Sequence, residues 1–570
     1  MEFFSYKKIF FAVGILLFLV AVDVKAVNVG DTVNFNVDKS FDINGRTQIS
    51  ATLIQTSPKL YFYVDKLWWD QQTQVKKNSI LTSLDSLSNE FNNNIYPNLT
   101  SLFGSEWSPG IDNDQKITVL FEAMNNAEGG YFREADEYEK LQAPISNERE
   151  MLYMAVSNMG EPNDKIVLAH ELVHLITFNQ KNKIYGSEED TWLNEARADY
   201  SSTILGYDDV YSGSNLQQRV KDFVENPSDS VTDWRGTKYD YASVSMFIHY
   251  LVDKYGINIL KDSLKFKSIG IQSINDALAN GGSKKNFSSI FTDWTIVLTI
   301  NDCSQGAKYC YSSANLENLK INPTLIFMPL TGSSSLSTTN ITKNWAGNWQ
   351  KIIGGNGDLR LSFSGLVGLD FQVPYVVYDK DGNYSVKFLA FNQEGEGEIS
   401  VQNFGTSYKS LIIIPSLQTK MSGFDELDLS YPYNFTISIA GDSLDPSQTL
   451  IEKLLAEIAS LKKQIADILA QRQGGAGVPP VSCSQINGNL SFGLTGSEVS
   501  CLQEFLKNQG AGIYPEGLVT GYFGNLTRLA VIKFQEKYSS AILSPLGLLS
   551  GTGYVGTSTR AKINQILSGG

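Results

Sequence analysis

A helical segment that carries two histidines constrains the fold of this chain more than any other feature. Residues 166–176 are apolar except for His170, Glu171 and His174, and the whole chain has only three histidines. Residues four apart lie about one turn from each other on the same face of a helix, so both imidazoles can reach one point. Burying these groups costs free energy unless they are paired or bound to a metal ion. The alternative is a core helix whose polar residues bond to each other.

A second segment supplies the remaining group that a metal site needs. Glu195 and Asp199 are four residues apart in a predicted helix and therefore share one face. Two imidazoles and one carboxylate form a zinc site that leaves the fourth tetrahedral position open to water. We predict that His170, His174 and Glu195 hold one zinc ion and that Glu171 accepts a proton from the water. Asp199 would accept the distal N–H of one histidine. The alternative is an exposed acidic helix face.

These residues resemble those of the gluzincin metallopeptidases, which thermolysin typifies. The local sequence is closer to that of the hyicolysin-type metallopeptidases. The matching runs are 169–174, 192–195, 117–121 leading to 129–132, and 239–242 through 250–251. The resemblance covers about residues 58–300 and implies a zinc-dependent endopeptidase with a thermolysin-like α+β core, to which we assign residues 58–323. The chain departs from thermolysin because it lacks a downstream histidine suited to stabilise the transition state. His249 lies in an apolar helical stretch and is expected to be packed.

A tyrosine is the predicted replacement for that missing histidine. A phenol can donate a hydrogen bond where negative charge develops on the substrate carbonyl oxygen. Tyr241 is the first candidate and Tyr239 the second. Because the chain contains 27 tyrosines, simple packing is the alternative for both.

A peptide substrate also needs a place to bind in extended form. An extended backbone binds well when it adds to an exposed sheet edge. The β-branched and apolar residues 117–123 predict a strand, and residues 124–127 could present free backbone groups to the substrate. The alternative is an internal strand followed by an ordinary turn.

The first 26 residues predict a secretory signal peptide. Lys7 and Lys8 precede an apolar run at 9–22, and small residues stand at the cleavage position near 24–26. An uncleaved anchor is the alternative, but the run is short for a bilayer span of about 20 residues. We therefore expect a secreted bacterial protein with no membrane contact after cleavage. Its formal net charge of −14 argues against nucleic acid as a partner, because phosphate binding needs a basic surface.

The four cysteines form two close pairs, Cys303 with Cys310 and Cys483 with Cys501. An even number of cysteines in an exported protein suggests disulfides. Three pairings can be drawn, and we favour the two local ones because each lies within one predicted domain. The alternative is four free, buried thiols.

Two regions of strand-like sequence flank the predicted catalytic domain. Residues 27–57 form short alternating runs, which predict either a leader or a sheet that docks on the catalytic domain; a removable pro-segment is a further alternative. Residues 324–441 contain strand-like runs about every ten residues, separated by turn signals, and predict a β-sandwich. This region shows no catalytic cluster. We therefore favour a spacer role over binding of a sugar or a protein.

The sequence changes again towards the C-terminus. Residues 448–473 carry apolar residues in steps of three and four and predict a coiled-coil helix, which would drive self-association. The alternative is a lone helix that packs on a neighbouring domain. Residues 474–482 are rich in glycine and proline and predict a flexible linker.

The last segment, residues 483–570, resembles small three-helix domains of the peptidoglycan-binding type. Gly-Tyr-x-Gly turns occur at 521–524 and 553–556, and each is followed by a threonine and a helical stretch. The resemblance implies contact with wall peptide or glycan near these turns. The alternative is a small helical domain that binds another protein.

These resemblances together imply a multidomain, secreted zinc endopeptidase that cleaves proteins or peptides and is tethered to the cell wall through residues 483–570. One alternative keeps the enzyme class but makes peptidoglycan cross-links the substrate. A further alternative is a non-catalytic, wall-associated adhesin or scaffold that retains the peptidase fold only as structure.

Overall fold

The chain forms two compact units, Met1–Leu444 and Asp445–Gly570. The computed structural model describes residues 27–440 and 485–569, except for positions 126–128, 427–428, 492–493, 511, 516, 518, 520, 522, 524, 547 and 549. The predicted signal peptide, coiled-coil helix and linker lie outside the described residues, as does Cys483.

The first sheet of the larger unit is mixed. Its strands are β1 (Thr32–Asn36), β2 (Gln48–Thr56), β3 (Leu60–Asp65), β4 (Ile117–Glu122), β5 (Gly130–Phe132) and β6 (Met151–Ala155). Their order across the sheet is β1-β2-β3-β4-β6-β5. β4 runs parallel to β3 and β6, and the other neighbours are antiparallel. β4 and β6 are buried along their whole length, as expected for strands covered on both faces.

The N-terminal residues 27–57 belong to this sheet. β2 pairs with both β1 and β3, and it places Ile49, Ala51 and Leu53 in the same apolar core as Tyr63. The docked sheet that the sequence allows is therefore the arrangement observed, and removing this segment would expose one face of the core.

Helices cover the sheet and extend beyond it. They are α1 (Lys66–Asp70), α2 (Gln74–Glu90), α3 (Tyr96–Phe103), α4 (Asp164–Phe178), α5 (Thr191–Ile204), α6 (Asn215–Glu225), α7 (Lys238–Tyr255), α8 (Asn258–Ser263), α9 (Gly270–Asn280) and α10 (Phe287–Ile300). α4 packs against β5, β6 and α5, and α5 also packs against α7. The apolar segment of the histidine helix thus lies in the centre of the unit.

A second, β-rich part of the larger unit follows α10. Its strands are β7 (Thr324–Met328), β8 (Ser334–Thr342), β9 (Gln350–Gly354), β10 (Gly357–Ser364), β11 (Phe371–Gln372), β12 (Pro374–Asp379), β13 (Tyr384–Phe388), β14 (Glu396–Phe404), β15 (Tyr408–Ile413), β16 (Ser416–Leu417) and β17 (Tyr431–Ala440). One ladder is β13-β12-β15-β9-β7 and another is β14-β10-β17-β8; they meet where Phe404 pairs with Tyr408. The nearly closed sheet encloses its own apolar core, to which alternate residues such as Leu359, Leu361 and Phe363 contribute.

The β-rich region packs tightly on the helices of the same unit. Trp345 is 1% exposed and its ring meets the edges of Phe287 and Phe291 on α10. The indole N–H of Trp349 donates to the carbonyl oxygen of Thr295 at 2.9 Å. The predicted boundary at 323/324 is therefore a change of secondary structure within one compact unit.

The structure describes three of the four cysteines, Cys303, Cys310 and Cys501. Cys303 and Cys310 form a disulfide just after α10. Cys501 in the smaller unit is also disulfide-bonded. The local pairing of Cys303 with Cys310 is thus the pairing observed.

The smaller unit is helical and contains an internal repeat. Its helices are α11 (Ser497–Asn508), α12 (Asn525–Lys537), α13 (Ser539–Ile542) and α14 (Thr557–Leu567). The buried amide of Gln503 accepts from Gly521 N–H at 2.8 Å and donates to Thr527 at 2.9 Å. Gln535 makes the same two contacts to Gly553 and Thr559, at 2.9 and 3.0 Å. Gly521 and Gly553, which begin the two Gly-Tyr-x-Gly sequences, are therefore each bonded to the helix before them through a glutamine that also bonds to the helix after them. None of the described helices in either unit is long and apolar enough to span a membrane.

Several carboxyl groups in the larger unit are deeply buried. Glu122 is 0% exposed at the end of β4, and burial raises the pKa of its carboxyl to about 7. Burial raises the pKa of Asp164, at the start of α4, to about 7 as well. Burial and the neighbouring carboxylate of Asp240 raise the pKa of Asp229 to about 7. These groups hold protons in the folded unit at a pH where the unfolded chain has released them.

We expect the larger unit to lose stability as the pH rises from about 5 to about 8. A carboxyl whose folded pKa exceeds its unfolded value stabilises the fold below the unfolded pKa, and this contribution is lost as the pH rises through the folded pKa. His249 and His174 act in the opposite direction, because burial lowers the pKa of His249 to about 4 and also lowers that of His174, but these two groups do not outweigh the carboxyl groups. The Tm from scanning calorimetry should be about 5 °C higher at the lower pH.

Two variants test whether the buried carboxyl groups cause this dependence of Tm on pH. Glu122→Gln should flatten the dependence of Tm on pH, because the amide mimics the protonated acid at every pH. Glu139→Gln is the control, since Glu139 is exposed. Equal pH dependence in the two variants would contradict the assignment.

Candidate metal centre

The packing of α4 against α5 brings the predicted ligands together. Leu168, Leu172 and Leu175 bury the apolar side of α4, while Leu193 and Ala196 bury that of α5. The polar residues of both helices then face each other at one edge of this core.

His170, His174 and Glu195 meet at one point. The Nε2 atom of His170 lies 3.2 Å from Glu195 Oε2, and that of His174 lies 3.7 Å from the same oxygen. One ligand atom from each of the three residues lies within 4.8 Å of the other two. Ligand atoms at about 2.1 Å from a tetrahedral zinc ion are about 3.4 Å apart, and the two distances to Glu195 Oε2 lie near this value. It is the only such group of metal-ligating side chains among the residues that the structure describes.

The charges of this cluster favour a cation. Burial alone would raise the pKa of Glu195, but His174 and the hydrogen bond from His170 outweigh it and lower that pKa. Burial likewise opposes protonation of His170, yet its hydrogen bond to Glu195 raises the pKa of His170 to about 9. The pKa of His174 is lowered, chiefly by burial. The cluster therefore contains an ionised carboxylate and a bound proton, whose place a metal ion can take.

Glu171 lies beside the cluster, in the wall of a cavity of about 640 Å³. Its side chain is buried, and strand β5 passes directly next to it: a methyl group on Gly130 would lie 3.2 Å from Glu171 Oε1. Glycine at 130 thus allows the strand to approach the carboxylate. A group bound in the cavity would meet Glu171 and His170 together.

Asp199 does not make the contact that the sequence predicts. Among the described side chains its partners are Arg219, whose Nε and Nη2 donate to Asp199 Oδ1 at 2.9 and 2.8 Å, and Asn215, which donates at 3.0 Å. All three contacts end on Oδ1, and among the described residues no hydrogen bond joins Asp199 to a histidine. Asp199 remains in the cavity wall.

Asn194 on α5 lies close to the ring of His174. His174 Nδ1 and Asn194 Oδ1 are both buried, and Asn194 acts to raise the pKa of His174 against the larger effect of burial. An amide oxygen that faces the Nδ1–H of this ring would hold Nε2 toward Glu195. Asn194 directly precedes Glu195 in the chain, so its position could have been read from the sequence, whereas Arg219 stands in a helix without any motif.

Tyr241 faces the metal cluster and Tyr239 does not. The ring of Tyr241 lies 6.5 Å from that of His170, 4.8 Å from the edge-on Trp234 ring and 4.7 Å from the Arg219 guanidinium. Burial, then the negative charges of the nearby carboxylates, raises the pKa of Tyr241, so its hydroxyl keeps its proton. The hydroxyl of Tyr239 instead points to Glu225 at 3.4 Å.

His249 is packed away from the cavity. It is 8% exposed, and its ring centroid lies 4.7 Å from that of Tyr200. This is the packed position that its apolar sequence context predicts.

The free strand edge beside the site is β5. Of the predicted edge at 124–127 the structure describes two residues, and both are paired: Met124 bridges to Asp42, and the N–H of Asn125 donates to Phe41 at 2.9 Å. Among the described strands β5 pairs only with β6, and Gly130 lines the cavity. A free backbone edge is thus present at β5, while residues 126 and 127 of the predicted edge lie outside the described residues.

Comparison with known proteins identifies part of the smaller unit. Residues 495–563 match the family model described as "Putative peptidoglycan binding domain". This match supports association of the chain with the cell wall through its C-terminal domain. No curated protein matches the sequence.

Solved structures resemble short parts of the chain. The Yersinia pseudotuberculosis-derived mitogen has 10% identity and a TM-score of 0.14, with coverage of 20% of this chain and 91% of the mitogen. The pre-peptidase C-terminal domain of a collagenase from Bacillus anthracis has 9% identity and a TM-score of 0.14, with coverage of 20% and 96%. The lysozyme inhibitor PliG of Aeromonas hydrophila has 12% identity and a TM-score of 0.13, with coverage of 21% and 99%. TM-scores this low carry no argument about fold or function.

Proposed function

We propose that the chain is a secreted zinc-dependent endopeptidase with a thermolysin-like catalytic core, held at the cell wall by its C-terminal domain. The observation that carries the proposal is the convergence of two imidazoles and one carboxylate beside a cavity that also contains Glu171. Three protein ligands are the number that catalytic zinc sites use, because one position stays open for water or substrate. The match of residues 495–563 supports the wall attachment.

The residues in and beside the cavity would have different roles in the reaction. His170, His174 and Glu195 would hold the zinc ion, which when bound acidifies water and polarises a carbonyl group. Glu171 lies next to these ligands and would take a proton from the attacking water and return it to the leaving amine. Its burial keeps bulk water from competing for that proton.

The other walls of the cavity suit an extended peptide. The free edge of β5 offers backbone groups to a substrate strand, and the small residue Gly130 lets that strand lie close to Glu171. Tyr241 keeps its hydroxyl proton and would donate a hydrogen bond to the oxygen on which charge develops. The Arg219 guanidinium lies 4.7 Å from the centroid of the Tyr241 ring and is itself held by Asp199.

The test of the proposal is the removal and return of zinc. We expect the purified full-length chain to bind close to one zinc ion, to cleave casein, to lose at least about 99% of this activity on dialysis against a chelator, and to regain it with zinc. Calcium or magnesium should not restore it, because an N,N,O ligand set does not suit these ions. A chain that binds no zinc, or that cleaves equally well without it, would refute the proposal.

A second candidate keeps the reaction and changes the substrate. The match to a peptidoglycan-binding domain favours peptidoglycan cross-links as an alternative to proteins. Incubation of the same zinc-loaded chain with purified sacculi separates the two candidates. Release of wall peptides without cleavage of casein would favour the cross-link peptidase, and cleavage of casein alone would favour the protein substrate.

A further inference from the structure

A short segment connects the candidate site to the rest of the larger unit. Residues 229–237, which we call the strap, lead into α7, the helix that carries Tyr241. Trp234 of the strap packs edge-on against Tyr241, and Thr237 caps α7 through a reciprocal capping box. Gly236 lines the cavity. The conformation of the strap therefore sets the position of Tyr241 and one wall of the cavity.

Backbone contacts from the β-rich region hold the first half of the strap. The N–H of Val231 donates to the carbonyl oxygen of Trp345 at 2.9 Å. The hydroxyl of Ser230 donates to the carbonyl oxygen of Asn344 at 2.7 Å. Both acceptors lie in the turn after β8, so the strap is joined to the β-rich region at consecutive residues.

Charged contacts hold the second half of the strap. Lys343 forms an ion pair with Asp233, whose side chain is 1% exposed. Arg235 donates to Asp233 at 2.7 Å and to the carbonyl oxygen of Glu426 at 3.0 Å. Because the carboxylate of Asp233 is buried, its contacts constrain the strap more than a surface ion pair would.

The turn that holds the strap is itself fixed. The side-chain oxygen of Asn344 accepts from the N–H groups of Thr419 and Lys420 at 3.0 and 2.8 Å. The indole N–H of Trp345 donates to the carbonyl oxygen of Lys420 at 2.6 Å, and its ring packs against Phe287 of α10. Because Asn344 and Trp345 are held by these contacts, they fix the position of the strap residues that bond to them.

We propose that the β-rich region at 324–440 is a positioning element of the candidate active site, which acts by holding the strap and, through Trp234, Tyr241. This inference rests on the proposed function. It assigns the region a part in catalysis in place of the spacer role that the sequence favours. Lys343, Asn344 and Trp345 are positioning residues, since they act on Tyr241 only through the strap.

Lys343→Met in the full-length chain tests the inference, with Lys285→Met as its matched control. Both lysines pair with a buried aspartate that keeps a second cation: Asp233 keeps Arg235, and Asp293 keeps Lys308. Lys343→Met should lower kcat about tenfold with KM nearly unchanged, because a small misplacement of a catalytic group costs rate more than binding. Lys285→Met should leave both constants unchanged, and Lys343→Arg should restore kcat.

Hydrogen exchange supplies a readout that does not depend on activity. The backbone amides of 229–241 should exchange faster in Lys343→Met than in Lys285→Met, even where the two variants have equal Tm values. Unchanged exchange, or a kcat equal to that of the control, would overturn the inference. If the wild type bound no zinc and cleaved no peptide, the proposed function would fail by itself, and faster exchange would still show that the β-rich region holds the strap.

Discussion

Replacing Glu171 by glutamine should lower kcat of the zinc-loaded chain about 10³-fold while the zinc content stays the same. Glutamine keeps the shape of the side chain and its place in the cavity wall beside His170, but it cannot accept a proton from water. The loss corresponds to about 4 kcal/mol in the activation barrier. The measurement is steady-state cleavage of a fluorogenic peptide, together with metal analysis of the same sample.

Glu161→Gln provides the control for this variant. Glu161 lies just before α4 and is exposed, so its replacement removes the same charge near the same helix without touching the cavity. If Glu171→Gln retained the activity of Glu161→Gln, another group would have to accept the proton. A loss of zinc in Glu171→Gln would instead mean that the carboxylate binds or orients the metal.

The part of the site that the sequence predicts correctly depends on helical spacing. His170 and His174 lie on one face of α4 because a helix turns once in about 3.6 residues, and no tertiary information is needed for that step. Glu195 required an assumption about which helix packs on α4. The apolar pattern alone does not make that choice, because residues 171–178 of α4 and 196–202 of α5 are buried without a break.

The predictions that fail are those that depend on competition between side chains. Asp199 was expected to accept a hydrogen bond from a histidine. Its position four residues after Glu195 does place it in the cavity wall. Arg219 takes its carboxylate instead, and Arg219 is distant in sequence and stands in no motif. Arg219 carries a full positive charge and donates to Asp199 from two N–H groups, whereas a neutral imidazole would donate from one.

The position of the free strand edge also could not be predicted from the sequence. Residues 117–123 were correctly predicted to form a strand, but strand order decides which strand has a free edge. β6 inserts between β4 and β5, so the edge passes to β5. In the same way, alternation of apolar residues predicts the strands at 324–441, but the aromatic contacts that dock them on α10 follow only from the packed structure.

Replacing Glu195 by glutamine should weaken zinc binding by more than about 100-fold, a larger effect than the 10- to 100-fold expected for second-layer residues. Glu195 is the one anionic member of the ligand set, and its Oε2 atom is shared between both histidines at 3.2 and 3.7 Å. The neutral amide keeps a hydrogen-bond acceptor for His170, so the two helices should stay packed. Competition for zinc with a coloured chelator measures the affinity without any assay of activity.

Glu188→Gln is the control, since Glu188 is an exposed glutamate in the segment just before α5. The variants at 195 and 171 separate the two roles of a carboxylate in this cavity: the first should lose zinc and activity together, and the second should lose activity alone. Equal zinc affinity in Glu195→Gln and Glu188→Gln would place the metal elsewhere. The convergence of His170 and His174 on the α5 carboxylate would then be an ordinary buried ion pair, and the larger unit would be a scaffold.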